Sequence, residues 1–364
     1  MLTGYFDAYA RAYQPYKGGP WCYEDGCVYQ GLRLLHEATG DRRWFDHLRR
    51  LVDARLDADG HPVGYDPAEY NIDNVLPGRA LIALHAATGE PRYLAGARLI
   101  GQQLAGHPRT ADGNFWHKRI YPDQVWLDGL YMGLPFAIEL GQATGDGALV
   151  DDALRQIARA LELTDSGDGL YAHGYDAARR QAWADPITGR SPAHWARALG
   201  WLVMALVDIV ELIGKARMEA AGLTGRTTAL LAEIVRLQRP SGLWLQVIDL
   251  TDLPGNYEES SATAMFAYAL QKAARLGLGD HREAGSAALD ALLRSRVVGE
   301  PARFEGICLM AGLGGFGSSA RDGTPAYYLS EPVVADDPKG VGPLMMAAAE
   351  ARRATASSGT TLPA

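Results

Sequence analysis

The sequence predicts an all-α protein built as an (α/α)6 barrel, a closed double ring of helices. Three observations lead there. Helical segments closed by glycine recur along the chain, the segments just ahead of each glycine are apolar nearly all round, and segments charged on one face alternate with them. A helix that is apolar on every side has to be surrounded by protein. A one-faced helix belongs at the outside, so the alternation reads as an inner ring wrapped by an outer one.

The punctuation is explicit in "LHEATGDRRWF", "LHAATGEPRYL" and "LGQATGDGALV". In each, a glycine suited to the left-handed C′ position is followed by an acid suited to start the next helix. Weaker copies, "ELIGKARMEAAG" and "ARLGLGDHREAG", extend the closing glycines to Gly40, Gly89, Gly145, Gly214 and Gly277. Their spacing of 49 to 69 residues is too long and too irregular for a solenoid. A second beat, "DADGHPVGY", "TADGNFWHK", "SGDGLYAHGY" and "RPSGLWLQV", sets a tight turn before a short aromatic stretch. Each unit therefore reads outer helix, turn and loop, inner helix, glycine stop.

In chain order the inner helices are "WCYEDGCVYQGLRLLHEA", "DNVLPGRALIALHAA", "VWLDGLYMGLPFAIEL", "HWARALGWLVMALVDIVELI", "SSATAMFAYALQKAARL" and "KGVGPLMMAAAEA". Their outer partners include "DRRWFDHLRRLVDARL" and "DDALRQIARALEL". Pro77 falls in the first turn of its segment, where a missing N–H is harmless. Pro135 lies deeper, so a kink or a late start is expected in the third inner helix. No linker-like stretch divides the chain. Residues 1–352 are expected to form one barrel domain, and 353–364, ending "SSGTTLPA", a flexible tail.

A formal net charge of −8 over 364 residues argues against a general nucleic-acid binder and against a protein that sits on anionic lipid. The N-terminal stretch has no signal-peptide pattern and no segment approaches a membrane span, so a cytoplasmic protein is expected. Cys22, Cys27 and Cys308 make neither a paired disulfide framework nor a zinc spacing, and no cofactor motif is present. Neither a metal nor a cofactor is expected.

Parallel inner helices gather their starts at one mouth. Those starts hold Asp73 in "YNIDN", Trp126 and Asp128 in "VWLDG", and His194, Trp195, Arg197 and Trp201 in "HWARALGW". The preceding loops add His117 and Lys118 from "NFWHK" and His173 from "YAHGYD". Carboxylates for acid–base work beside indoles that stack on sugar rings suit carbohydrate chemistry. Several helix N-termini at one mouth favour an anionic ligand such as a uronate. Each residue also has a plainer reading. Asp128 and Asp73 can be helix caps, the tryptophans by spacing are more often core than platform, and a lone His117 or His173 is usually structural. Arg197 shares a helix face with Trp201, which packing alone explains. The convergence, and no single residue, carries the functional reading.

The blocks "VWLDGLYMGLPF", "YAHGYDAARRQAWADPITGRSPAHWARALGWLVMALVDIVE", "GLWLQVID…ESSATAMFAYAL" and "DDPKGVGPLMMA" resemble glycoside hydrolase family 105, the unsaturated rhamnogalacturonyl hydrolases. The resemblance runs in order over nearly the whole chain, from Trp21 to Ala349. It implies an (α/α)6 barrel that takes a 4,5-unsaturated uronyl group from the non-reducing end of a small lyase-generated saccharide, by hydrating the vinyl ether. It further implies Asp128 as the general acid and the base for water, and Asp73 as the second aspartate at the mouth. His173, Trp195, Arg197 and Trp201 match positions lining the sugar site, and His117 and Lys118 match a loop that reaches it. Charge assigns Arg197 and Lys118 to the uronate carboxylate, and stacking falls to the tryptophans, Trp126 included. Protonating an alkene carbon needs an acid that keeps its proton, and burial penalises the charged form. That gives a reason for a lone acid between Trp126 and Tyr131. The chain departs from some members by carrying Ala198 and Leu199 where those have Gly-Asn.

Three rivals stand beside this expectation. The related unsaturated glucuronyl hydrolases share the barrel and the chemistry, and rhamnose as the neighbouring sugar is only the default. A non-catalytic saccharide-binding barrel would have little use for both Asp73 and Asp128. A zinc-dependent barrel cyclase fails on the cysteines, which lack a partner histidine set.

Overall fold

The computed structural model describes residues 2–16, 18–316 and 319–358. Six inner helices, α2 (Tyr23–Thr39), α4 (Gly78–Thr88), α6 (Leu127–Thr144), α8 (Ala196–Ile213), α11 (Ser260–Arg275) and α14 (Pro338–Ser358), follow the six apolar segments. Each packs on the next, and α14 returns to α2, so the ring is closed. Around it lie α1 (Leu2–Ala12), α3 (Arg42–Asp53), α5 (Pro91–Gly106), α7 (Gly147–Thr164), α10 (Thr224–Arg236) and α12 (Arg282–Ser295). A short α9 (Lys215–Ala220) joins α8 to α10. The division of labour follows composition: α8 is buried without a break from Ala196 to Val210, whereas α3 buries only Trp44, Leu48, Leu51 and Val52. The expected (α/α)6 barrel is the fold.

The glycine stops work as the spacing predicts. Gly40, Gly89 and Gly145 are left-handed, with φ of 68°, 72° and 75°, and each donates its N–H to a carbonyl four residues back. Gly214 differs. Its φ is 79° but its ψ is 157°, outside the left-handed helical region, and the chain passes from it directly into α9. Pro135 sits inside an unbroken α6, which excludes the late start. The last helix runs to Ser358, past the expected boundary at 352, and residues 359–364 of the expected tail lie outside the described residues.

Ring closure depends on close backbone approach. A Cβ at Gly342 of α14 would stand 2.4 Å from the Cys27 carbonyl oxygen of α2. Only glycine fits there.

Within the ring and below the mouth lies a buried ion network. The Arg79 guanidinium donates to Glu139 at 3.0 and 3.1 Å and to Asp208 at 2.8 Å, and Lys272 donates to Asp208 at 2.7 Å. Between α12 and α14 the described residues form short strands and one short helix. Ile307–Cys308 pairs antiparallel with Val333–Val334, Gly314–Phe316 pairs with Ser319–Arg321, and α13 spans Pro325–Ser330. No helix among the described residues is long and apolar enough to cross a membrane.

Candidate active site

Two short strands place the central residues. β1 (Gln124–Trp126) pairs antiparallel with β2 (Gly174–Asp176), Trp126 opposite Gly174, and the chain turns from β1 directly into α6. Trp126 is therefore the N-cap residue of α6, and Asp128 falls in its first turn. His173 immediately precedes β2, and its carbonyl accepts the Leu127 N–H at 3.0 Å. The pairing brings His173 Nε2 to 3.0 Å from Asp128 Oδ2, while His173 Nδ1 lies 2.7 Å from the Tyr328 hydroxyl. His173 and Tyr328 are fully buried; the Asp128 side chain keeps 15% of its surface open, toward the cleft. The carboxylate is thus mostly buried, Oδ2 fully so, with one side open to the cleft.

Asp73 sits in the 3-10 turn Ile72–Val75, whose start is capped by the Asn71 side chain on the Asp73 N–H. The Ile72 N–H donates to the His117 carbonyl, and the His117 N–H to the Gln124 carbonyl, so three loops are laced together. Across this lacing Lys118 Nζ meets Asp73 Oδ2 at 2.7 Å, and His117 Nε2 lies 3.6 Å from Asp73 Oδ1. Burial opposes the Lys118 ammonium, but the charge and hydrogen bond of Asp73 prevail and hold its pKa above the ordinary lysine value. Burial pushes His117 down to about 4, against the pull of Asp73, so its ring is neutral near pH 7. That ring stacks on Trp126, centroids 4.2 Å apart at 19°, and Tyr121 stacks on Trp126 as well.

Asp73, His117, Lys118, Trp126 and Asp128 line one cleft of about 250 Å³, open to solvent. The other expected residues stand behind it. Trp195 is 1% exposed and stacks on Tyr328, and the Arg197 guanidinium lies over the Trp195 ring at 4.8 Å. They back the His173–Tyr328 pair, and neither lines the cleft. Trp201 is stacked on Tyr131 inside the barrel, with no face left for a sugar. Ala198 and Leu199 are fully buried, so no polar contact arises at 199. His194 lies between Asp249 and Ser166, at 2.8 Å from each, and ties loops together.

Sequence reasoning missed Tyr23, Glu24 and Arg321, which line the cleft, and Tyr328. Glu24 carried the signal that exposed Asp128: an acid at the start of an apolar inner helix, 2% exposed. Arg321 comes from a short strand and Tyr328 from the six-residue α13, elements too short for any periodicity to point to a site.

His107 gives a pH test. Burial lowers it to about 4, as it does His117, and His107 Nε2 donates to the Trp116 carbonyl at 2.8 Å. An unfolded histidine takes its proton near pH 6.5. The folded state therefore loses stability as pH falls from about 6.5 to about 4, and nothing further below, because only the unfolded chain gains protons in that window. His107→Gln is expected to reduce that slope in the urea-unfolding free energy, with His117 supplying what remains. An unchanged slope would contradict the assignment.

Comparison with known proteins places this geometry. The family model described as Glycosyl Hydrolase Family 88 matches residues 8–355. A solved family 105 glycoside hydrolase from C. acetobutylicum superposes with a TM-score of 0.87 at 36% identity, covering 91% of this chain and 93% of that one. A protein of Agrobacterium fabrum is 56% identical over 228 residues, 60% of this chain and 97% of its own length. The unsaturated rhamnogalacturonyl hydrolase YesR of Bacillus subtilis is 29% identical over 279 residues, 75% of this chain and 76% of YesR. By the span of the family match and the identity to the solved enzyme, this chain belongs to the glycoside hydrolases of families 88 and 105.

Proposed function

We propose that the protein hydrolyses a 4,5-unsaturated uronyl group from a short saccharide, with a rhamnogalacturonan-derived disaccharide as the first substrate to try. The observation that carries this reading is the Asp128 carboxyl at the open cleft, its Oδ2 3.0 Å from a buried histidine and Trp126 at its side. Resemblance to family 105 and similarity to YesR support the substrate class.

In the proposed reaction Asp128 gives its proton to C4 of the vinyl ether, and positive charge develops at C5 and the ring oxygen. Water adds at C5 and returns a proton to Asp128. The C5–O5 bond of the hemiketal then breaks to a ketone, which leaves C1 as a hemiacetal that expels the hydroxyl of the neighbouring sugar. His173, held from behind by Tyr328, stands 3.0 Å from Asp128 Oδ2 and offers an exchangeable proton beside the carboxyl. Trp126 gives the planar sugar ring a stacking face. Asp73 and Lys118, paired across the cleft wall, hold hydroxyls of the substrate.

Turnover in heavy water tests this directly. One deuterium at C4 of the keto product, seen by NMR, supports protonation of the alkene; a product without deuterium there contradicts it. Asp73→Asn is expected to lower kcat/KM by about 100-fold, since it removes a buried, charge-assisted partner of Lys118. A loss under about threefold would remove Asp73 from the machinery.

A further inference from the structure

The cleft must meet the carboxylate of a uronate with positive charge, and the structure narrows the source. Arg197 is 1% exposed; its guanidinium donates to Ser261 Oγ at 3.1 Å and to the Cys308 carbonyl while covering Trp195. Those bonds hold it behind the cleft wall. Lys118 lines the wall as well, paired with Asp73 at 2.7 Å. Among the described residues, the other lysine or arginine lining the cleft is Arg321.

Its position is built. Arg321 ends the strand pair in which it faces Gly314, and the neighbouring Leu313, fully buried, packs with Tyr121, Trp126 and Trp183. The Gly312 N–H donates to the Tyr327 hydroxyl at 3.0 Å, which itself donates to Glu331 at 2.7 Å. A Cβ at Gly312 would stand 2.9 Å from Arg321 Nη1 and 3.4 Å from Trp126 Cζ3. The guanidinium therefore lies along the Gly312 backbone, beside the edge of the indole that precedes Asp128.

Charge gives the placement its meaning. Glu24, Asp73 and Asp128 line the same cleft, against Lys118 and Arg321. An incoming uronate adds one more negative charge to a site already rich in carboxylates, and like charges in a partly desolvated cleft repel. A planar guanidinium suits a carboxylate better than any other side chain. We propose that Arg321, set along the Gly312 backbone, reads the carboxylate of the unsaturated uronate and is the specificity residue for it. This rests on the reaction proposed above.

The test compares an unsaturated uronyl disaccharide with its C6 methyl ester, in wild type, Arg321→Gln, Arg321→Lys and Gly312→Ala. Arg321→Gln is expected to lose about 10- to 100-fold in kcat/KM on the acid, chiefly through KM, and under about threefold on the ester. Arg321→Lys should recover part of the loss. Gly312→Ala, which crowds Nη1 with the guanidinium intact, should raise KM for the acid more than for the ester. Equal losses on acid and ester would make Arg321 a structural residue, and no loss on the acid would assign the carboxylate elsewhere; either overturns the proposal. Wild type inactive on both substrates would instead refute the reaction and the proposal with it.

Discussion

Asp128→Asn is expected to lower kcat by about 1,000-fold or more while the barrel stays folded and still binds saccharide. The substitution keeps the side chain's shape at the start of α6 but leaves no acid to protonate a carbon, and general acid catalysis alone accounts for about 100- to 10,000-fold. The second role of the same group, taking the proton from water, is lost with it. His173 cannot substitute. It is fully buried behind the carboxyl, with its other nitrogen held at 2.7 Å by Tyr328. Circular dichroism and thermal melting check the fold, and absorbance at the unsaturated band checks turnover. Near-normal activity in a folded variant would remove Asp128 from the proposed role.

The largest effect on stability is expected at Asp208. This carboxylate, 2% exposed, accepts from Arg79 at 2.8 Å, Lys272 at 2.7 Å and the Tyr268 hydroxyl at 2.5 Å. Burial alone would raise its pKa, but the charges of Lys272 and Arg79 outweigh it and hold the group well below the usual carboxylate range. The linkage follows from that direction. The stabilisation is present above the unfolded aspartate pKa of about 3.9 and is lost only as pH falls toward the depressed folded value. Asp208→Leu leaves two buried cations short of a partner, although Glu139 still holds Arg79 and Glu211 still holds Lys272. A loss of about 3 kcal/mol is expected, at the lower end of what breaking a buried pair costs. Urea unfolding measures it. The folded fraction should keep wild-type KM, because Asp208 does not line the cleft; a change under about 0.5 kcal/mol would show that the network contributes little.

Much of this was legible in the residues. The six apolar segments, their glycine stops and the convergence of Asp73, His117, Lys118, Trp126, Asp128 and His173 follow from periodicity and from what a closed ring does with helix starts. Pro135 does not delay the helix, since α6 starts at Leu127 and runs through it: a surrounding ring of helices can hold a conformation that local preference disfavours. Trp195, Arg197 and Trp201 show a different limit. Residues one turn apart at a helix start share its mouth, yet whether an indole faces the cleft or the core depends on helix rotation, which spacing does not specify. Here all three turn inward, and the first two support the site from behind. Arg321 and Tyr328 were invisible for related reasons: Arg321 ends a short strand beside Leu313, Tyr328 lies on the six-residue α13, and such short elements carry no periodicity that points to a site.

In the proposed function this cleft hydrates the double bond of an unsaturated uronate. The most direct measurement follows the ultraviolet absorbance of that double bond after mixing the protein with lyase-generated disaccharides, from rhamnogalacturonan and from glucuronate-containing polysaccharides. Loss of the band with at least one of them, abolished in Asp128→Asn, is the predicted result, and the faster substrate names the neighbouring sugar. A band that persists with every substrate, in a folded protein that binds them, would contradict the claim and favour a saccharide-binding barrel.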